Sequence, residues 1–119
     1  MEKQKNIGKD TKVDWIENSA KQARVSLGGV SSCLCTIYHN GKAKIMIIDN
    51  FETPEKYRNQ GYGQKLMKEV IDFAKTQDID SVELQVNKDN GVAIKLYEKN
   101  KFEKTDKYYY RLILNKWTI

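Results

Sequence analysis

The sequence has few of the residues that build disulfide-rich or metal-binding domains. Its 119 residues include two cysteines, one histidine and one proline. Cys33 and Cys35 share one face of a predicted strand, and two thiols alone cannot complete a zinc site. We interpret them as ordinary half-buried thiols and expect no metal. The single histidine, His39, precedes Asn40-Gly41 and is interpreted as a residue that flanks a turn.

The sequence also lacks long apolar segments and clusters of like charge. No apolar run approaches the roughly 20 residues needed to cross a bilayer. The start of the chain, Met1 to Asn6, lacks the apolar stretch of a secretory signal, so we expect a cytoplasmic protein without membrane association. The net charge of +5 admits a nucleic acid or a phosphorylated cofactor as partner. Because the lysines are scattered and form no recognised nucleic-acid motif, we expect no nucleic-acid partner.

The patterns that are present fit a single domain over residues 1–119. Residues 1–12 are polar and are predicted to be loose. A capping-box pattern at Asp14 and Glu17 predicts a short helix over 14–22. An Asn-Gly pair between two strand-like runs predicts a β-hairpin. Periodicity predicts strands at 23–27, 30–38, 42–51, 81–86 and 107–114 and helices at 63–74 and 90–99, which together make an α/β domain with a mixed sheet.

The segment that leads into the first long helix carries the pattern R-x-x-G-x-G, from Arg58 to Gly63. Gly61 and Gly63 permit positive φ and a close approach of the backbone to a ligand. The following helix adds free N–H groups and the positive end of its dipole, which suits a pyrophosphate. The spacing differs from that of a P-loop, and a dinucleotide fingerprint would need glycine where Leu66 stands. An ordinary strand-to-helix turn is the alternative interpretation.

This pattern resembles the Q/R-x-x-G-x-G/A acetyl-CoA signature of the GNAT N-acetyltransferase superfamily. A second stretch, from Leu84 to Phe102, resembles the family's run L-x-V-x-x-x-N-x-x-A-I-x-L-Y-E-K-x-G-F. The two motifs stand in the family's order, and the resemblance covers residues 42–114. It implies a GNAT-like fold, with a mixed, mostly antiparallel sheet flanked by helices and a shortened N-terminal region.

The resemblance implies acetyl-CoA as co-substrate. The strand ending in Phe51-Glu52-Thr53 would splay at a bulge and pair with the pantetheine arm, with the N–H near Phe51 as oxyanion donor. Asn90 would hydrogen-bond the pantetheine, and Tyr97 would protonate the leaving thiolate as general acid. The pyrophosphate would bind mainly to backbone N–H groups of Arg58, Asn59, Gln60, Gly61, Tyr62 and Gly63, with Gln64 opening the helix.

The sequence departs from the family pattern in three places. Gln85 stands where some members carry a glutamate base, so the base is Glu52, which we prefer, or Asp49 or water. The glycine before the final phenylalanine is Lys101 here, so Asn100 or Lys101 must end the helix, at some cost. About 29 residues precede the strand at Val30, which leaves little room for the family's two acceptor helices. We therefore expect an acceptor site that is abbreviated or completed by a partner subunit, as in a homodimer.

The predicted function is transfer of an acetyl group from acetyl-CoA to a primary amine of a small molecule or a protein, by direct attack in a ternary complex. An acyl-CoA-binding module or regulator without transferase activity is the alternative, because the base and the acceptor helices are missing from the sequence pattern. A basic nucleic-acid-binding domain is a third hypothesis that rests on the net charge alone.

Overall fold

The computed structural model describes residues 10–16, 21–106 and 109–115. This part of the chain contains seven strands, two α-helices and one 3-10 turn. The strands are β1 (Thr11–Ile16), β2 (Lys21–Leu27), β3 (Ser31–His39), β4 (Lys44–Glu52), β5 (Ser81–Gln85), β6 (Glu103–Asp106) and β7 (Tyr109–Ile113); the helices are α1 (Tyr62–Thr76) and α2 (Gly91–Lys99), and the 3-10 turn is Glu55–Tyr57.

All seven strands belong to one sheet in the order β1-β2-β3-β4-β5-β7-β6. Neighbouring strands run antiparallel except β4 and β5, which are parallel and are connected through α1. A parallel pair needs such a crossover, and a helix is the usual one. The predicted mixed, mostly antiparallel sheet flanked by helices is therefore confirmed.

The meander from β2 to β4 follows the predicted strands to within a few residues. Its Asn40-Gly41 turn is closed by the Asn40 side chain, whose Oδ1 accepts hydrogen bonds from the N–H groups of Lys42 (2.9 Å) and Ala43 (2.8 Å). Gly41 has φ of 90°, which this turn requires. His39 flanks the turn as predicted, and its Nδ1 accepts from the Gly41 N–H at 3.0 Å.

The predicted N-terminal helix over 14–22 is wrong. Residues 14–16 belong to β1, which pairs antiparallel with β2 in a register that places Val13 opposite Val25. Trp15 lies on the same face as Val13, and its ring is 5.6 Å from that of Phe73 in α1. The capping-box pattern is a local preference, and strand pairing with β2 together with the ring contact between Trp15 and Phe73 overrides it. Residues 17–20 lie outside the described residues.

The prediction that residues 1–12 are loose is also wrong for Thr11 and Lys12, which lie in β1. Residues 1–9 lie outside the described part of the chain. Four positions, 17–20, separate the end of β1 from the start of β2.

The hydrophobic core lies between the sheet and α1. The buried stripe of α1 includes Leu66, Val70 and Phe73, at the helical spacing that the sequence shows. Cys33 and Cys35 are fully buried in the same core, with their Sγ atoms 3.9 Å apart. They are thus more deeply buried than the half-buried thiols that the sequence predicts. Neither helix of the described residues is long and apolar enough to span a membrane.

The last predicted strand, 107–114, corresponds to β7 over Tyr109–Ile113, and 107–108 lie outside the described residues. A further strand, β6, was not predicted and pairs with β7 at the edge of the sheet. All four residues of β6 are exposed, so no apolar alternation marks it in the sequence.

Candidate functional site

The parallel strands β4 and β5 part at their carboxyl ends. Their pairing stops at Ile48 and Leu84, although β4 continues to Glu52. On its other side, β4 bulges against β3, since Leu34 pairs with Asp49 and Ser32 with Glu52, so that Asn50 and Phe51 face a single β3 residue. Asn50 adopts φ of 51°, a conformation that asparagine tolerates. The bulge expected at the end of this strand is confirmed, and it turns the strand end away from β5.

The Arg58–Gly63 loop follows the 3-10 turn and leads into α1. Asn59 (φ of 62°) and Gly61 (φ of 84°) are in the left-handed region. Gly61 is the N-cap of α1 and has no side chain, so no capping group occupies the first N–H groups of the helix. Arg58 donates from Nε to the Thr53 carbonyl oxygen at 2.9 Å, which fixes its guanidinium beside the end of β4. The loop thus presents free backbone donors and one cation at the same edge.

A cavity of about 520 Å³ connects this loop to α2. We call it the loop cavity. Ten of the twelve predicted site residues line it, and the exceptions are Gln60 and Gln64. The Gln60 side chain donates to the Lys56 carbonyl at 3.1 Å, and that of Gln64 pairs with Asn100. The lining residues are Phe51, Glu52, Thr53, Tyr57, Arg58, Asn59, Gly61, Tyr62, Gly63, Asn90, Val92, Ala93, Leu96 and Tyr97.

Four lining residues were not predicted as site residues. Ala93 and Leu96 belong to the apolar stripe of α2, and periodicity cannot distinguish a core face from a cavity wall. Tyr57 stacks edge-to-face on Tyr62, with ring centroids 6.1 Å apart, a contact that no local pattern reveals. Val92 is 82% exposed in the first turn of α2, and the sequence carries no signal of that exposure.

Tyr97 closes the inner end of the loop cavity. It is 6% exposed and its ring is surrounded by those of Phe51 (6.3 Å), Phe102 (5.9 Å) and Tyr110 (6.3 Å). Burial in this aromatic environment raises the pKa of the Tyr97 phenol, and the nearby Cys33 adds to the rise. The phenol therefore stays protonated through neutral pH and can act as a hydrogen-bond donor or a proton donor.

Asn90 is the N-cap of α2. Its Oδ1 accepts a hydrogen bond from the Ala93 N–H at 3.1 Å, so the oxygen is used by the helix. The side-chain NH₂ group is the remaining donor, and it can serve a ligand in the cavity. Asn90 thus both fixes the start of α2 and contributes to the cavity wall.

A second, smaller cavity of about 240 Å³ lies where β4 and β5 part. We call it the strand cavity. It shares Phe51, Asn90 and Tyr97 with the loop cavity, so the two cavities meet at the tyrosine. The two carboxylates considered as bases fall on different sides, since Asp49 lines the strand cavity and Glu52 lines the loop cavity. Both side chains are exposed.

The arrangement brings together backbone N–H groups and the cation of the Arg58–Gly63 loop, the buried phenol of Tyr97 and a second cavity that shares this tyrosine. Within the described ranges, no group of three or more histidine, cysteine or acidic residues is placed to hold a metal ion. The side chains that line the two cavities can act by proton transfer and hydrogen bonding.

Residues 27–102, more than half of the chain, match the model of a family described as the acetyltransferase (GNAT) family. No curated protein matches the chain. Similar solved structures include the NatC complex bound to Gag peptide and CoA, with a TM-score of 0.71 and 18% identity over 79% of this chain and 71% of that one. The ribosomal-protein-S18-alanine N-acetyltransferase from Escherichia coli gives a TM-score of 0.64 and 18% identity over 92% and 73% of the two chains.

A third structure, a GNAT family acetyltransferase from Elizabethkingia anophelis with acetyl-CoA bound, has a TM-score of 0.66 and 19% identity over 81% of this chain and 77% of that one. At these identities the three structures establish a shared fold. The shared fold agrees with the mixed sheet and with the parallel β4–β5 pair that splays beside the site.

Proposed function

The chain belongs to the acetyltransferase (GNAT) family, and on that premise we propose that it transfers an acetyl group from acetyl-CoA to a primary amine. The observation that carries this proposal is the loop cavity, whose lining includes both the N-terminus of α1, which has no side-chain cap, and the buried Tyr97. A ligand with an anionic end and a reactive end fits such a wall.

The residues of the loop cavity fit acetyl-CoA in their chemistry. Free N–H groups at the start of α1 and the positive end of its dipole favour a pyrophosphate. The terminal amino groups of Arg58 remain available, because its Nε is used by the Thr53 carbonyl. The free NH₂ group of Asn90 suits an amide carbonyl of the pantetheine arm. Acetyl-CoA supplies the acetyl group as a thioester.

In the proposed reaction the amine nitrogen forms a bond to the thioester carbonyl carbon, and the carbon–sulfur bond breaks. Tyr97 gives its proton to the departing sulfur, and the amine proton goes to a base. A lysine-like amine, with a pKa near 10.4, must first lose a proton at a cost of about 4.6 kcal/mol at pH 7. The thiol of CoA has a pKa near 8.5, so its thiolate is a much better leaving group than the amine. Deprotonation of the amine is therefore the more demanding part of the reaction.

We propose that Glu52 or Asp49 receives the amine proton, directly or through water. Glu52 and Asp49 line different cavities, and the choice between them is testable because Glu52→Gln and Asp49→Asn each remove one base without a large change in shape. The variant that lacks the base should lose about 10²-fold or more in kcat. The other variant serves as its control.

For the acceptor, we propose a protein or small-molecule amine. Two structures of similar fold, one with a bound peptide and one named as a ribosomal-protein alanine N-acetyltransferase, support testing peptide amines first. A panel should include peptides with free N-termini, peptides with lysine side chains and polyamines. Release of the CoA thiol reports turnover, and mass spectrometry identifies the acetylated amine.

The central test compares Tyr97→Phe with Tyr109→Phe. Removing the Tyr97 hydroxyl should lower kcat by about 10²-fold while the dissociation constant of acetyl-CoA stays within about threefold. Tyr109 is 46% exposed and lines neither the loop cavity nor the strand cavity, so its variant should retain full activity. Undiminished turnover in Tyr97→Phe would refute the proton-donor role.

One observation favours the alternative of an acyl-CoA-binding module without transferase activity. Both carboxylates near Tyr97 are exposed, so neither is enclosed in a site that excludes water. This alternative predicts that acetyl-CoA raises the thermal stability of the protein by mass action while no amine is acetylated. Detection of any acetylated product above the uncatalysed rate excludes it.

A further inference from the structure

Two side-chain amides connect the first turn of α1 to the end of α2. Gln64 donates from Nε2 to Asn100 Oδ1 at 3.0 Å, and Asn100 donates from Nδ2 to Gln64 Oε1 at 2.8 Å. Both residues are partly buried, and 36 positions separate them in the sequence. Because each amide both donates and accepts, the pair fixes distance and orientation together.

Each member of the pair also belongs to a segment that builds the site. Gln64 is the third residue of α1, directly after Gly63 of the loop. Asn100 is the C-cap of α2, three residues after Tyr97, and its N–H contacts the Tyr97 carbonyl at 3.1 Å. Asn100 Nδ2 also donates to the Leu96 carbonyl at 2.7 Å.

Gly63, the residue before Gln64, lies close to α2. A Cβ built on Gly63 would lie 3.6 Å from Leu96 Cδ2, so the Leu96 side chain lies beside the first turn of α1. The two directed hydrogen bonds hold the helix ends in one arrangement. The loop donors and the tyrosine consequently keep a fixed separation.

We infer that Gln64 and Asn100 are positioning residues, which set the place of Tyr97 relative to the Arg58–Gly63 loop. The inference rests on the proposed acetyl transfer, in which one co-substrate must reach from that loop to Tyr97. A reacting group displaced by about 1 Å can cost on the order of 10²-fold in rate. The pair acts on the reaction only through Tyr97 and touches no reacting atom.

The test uses apolar replacements of similar shape, Gln64→Met and Asn100→Leu, singly and together. Each single variant leaves one partly buried amide without its partner and should be destabilised, with kcat lowered tenfold to a hundredfold. The double variant replaces the pair by an apolar contact, so its stability should recover. Its kcat should remain low, because an apolar contact has no preferred orientation. The dissociation constant of acetyl-CoA should change by less than about threefold in all three variants.

Gln22→Met is the matched control. Gln22 is also partly buried and donates from Nε2 to Thr36 Oγ1 at 2.9 Å between β2 and β3, away from both cavities. Its variant should lose stability and keep the kcat of the unmodified protein. If kcat of the Gln64→Met, Asn100→Leu double variant recovers together with its stability, or if the single variants keep full kcat, the pair is structural only and the inference is overturned.

A second measurement needs no catalysis. Alkaline titration of tyrosine absorbance, with Tyr97→Phe as the reference, isolates the ionisation of Tyr97. Burial raises the pKa of this phenol, so a ring that moves toward solvent should titrate at lower pH in Gln64→Met. If the unmodified protein acetylates no amine, the proposed function fails while this titration still decides the positioning role. An unchanged titration in Gln64→Met would count against it.

Discussion

The two glycines of the loop differ in backbone conformation, and adding one methyl group to each tests the geometry of the proposed pyrophosphate site. Gly61 has φ of 84° and ψ of 5°, a region that costs an L-amino acid about 1–2 kcal/mol. Gly63 is the second residue of α1 and lies outside the left-handed region. A Cβ at Gly63 would lie 3.6 Å from Leu96 Cδ2 and 4.0 Å from Phe51 Cε1, which is ordinary contact.

The expected changes in the free energy of unfolding have opposite signs. In Gly61→Ala, the strain of about 1–2 kcal/mol is partly offset by about 0.5–1 kcal/mol, since alanine loses less conformational entropy on folding. The net result is a loss of about 1 kcal/mol. Gly63→Ala adds a better helix former without a clash and should gain about 0.5–1 kcal/mol. Urea unfolding of the two variants beside the unmodified protein measures both values.

Binding of acetyl-CoA should separate the same two variants. If Gly61→Ala relaxes its backbone, at least one N–H group loses its aim at the pyrophosphate. A hydrogen bond to a charged group contributes about 1.5–3 kcal/mol, so affinity should fall roughly tenfold to a hundredfold. The methyl group of Gly63→Ala points at Leu96 and Phe51, so affinity should stay within about threefold. Equal losses of affinity in both variants, measured by calorimetry, would refute the assignment of this loop.

Three further predictions follow from other parts of the structure. Lys101 has φ of 72°, so Lys101→Gly should stabilise the protein by about 1 kcal/mol. Lys95→Gly, inside α2, should destabilise it by about as much. Urea unfolding that gives changes in unfolding free energy of the same sign for both variants would contradict this. The kcat should rise with pH as the amine deprotonates. Because burial raises the pKa of Tyr97 above its ordinary value near 10, kcat should decline only above about pH 10. This decline should be absent in Tyr97→Phe. A decline near neutral pH would assign it to another group. Cys33 and Cys35 are buried, and their mutual hydrogen bond and burial hold the pKa of Cys35 well above its ordinary value. Both thiols should therefore react with a thiol reagent only after unfolding. Fast labelling of the folded protein would contradict this.

The elements that could be predicted from the sequence are those whose side-chain pattern and local turn agree with their tertiary surroundings. The Asn40-Gly41 turn and the stripe of α1 are examples, because each carries its own period or turn chemistry. β1 was predicted as a helix because a capping box reads only neighbouring residues, while strand pairing with β2 involves residues far along the chain. β6 could not be predicted, because all of its residues are exposed and only β7 specifies it.

The same distinction applies to the site. The loop glycines and Tyr97 were predicted because they lie in two contiguous motifs that resemble those of a known family. The Gln64–Asn100 pair could not be predicted, since two amides 36 residues apart show no pattern until the fold brings the ends of α1 and α2 together. Strand period alone does not give the placement of Asp49 and Glu52, because the bulge pairs them with Leu34 and Ser32, two alternate residues of β3, and yet they line different cavities.

The ends of the two helices explain how lysine replaces the glycine of the family pattern. After α2, the Phe102 N–H donates to the Tyr97 carbonyl and the Lys101 N–H donates to the Glu98 carbonyl, each at 3.0 Å, which is a complete Schellman motif. α1 ends in the same way at Asp78, whose φ is 56°. In both cases the next residue is buried, and Phe102 packs on the ring of Tyr97. Burial of that hydrophobic residue offsets the strain of the left-handed residue before it, so the turn that places Phe102 against Tyr97 forms without glycine.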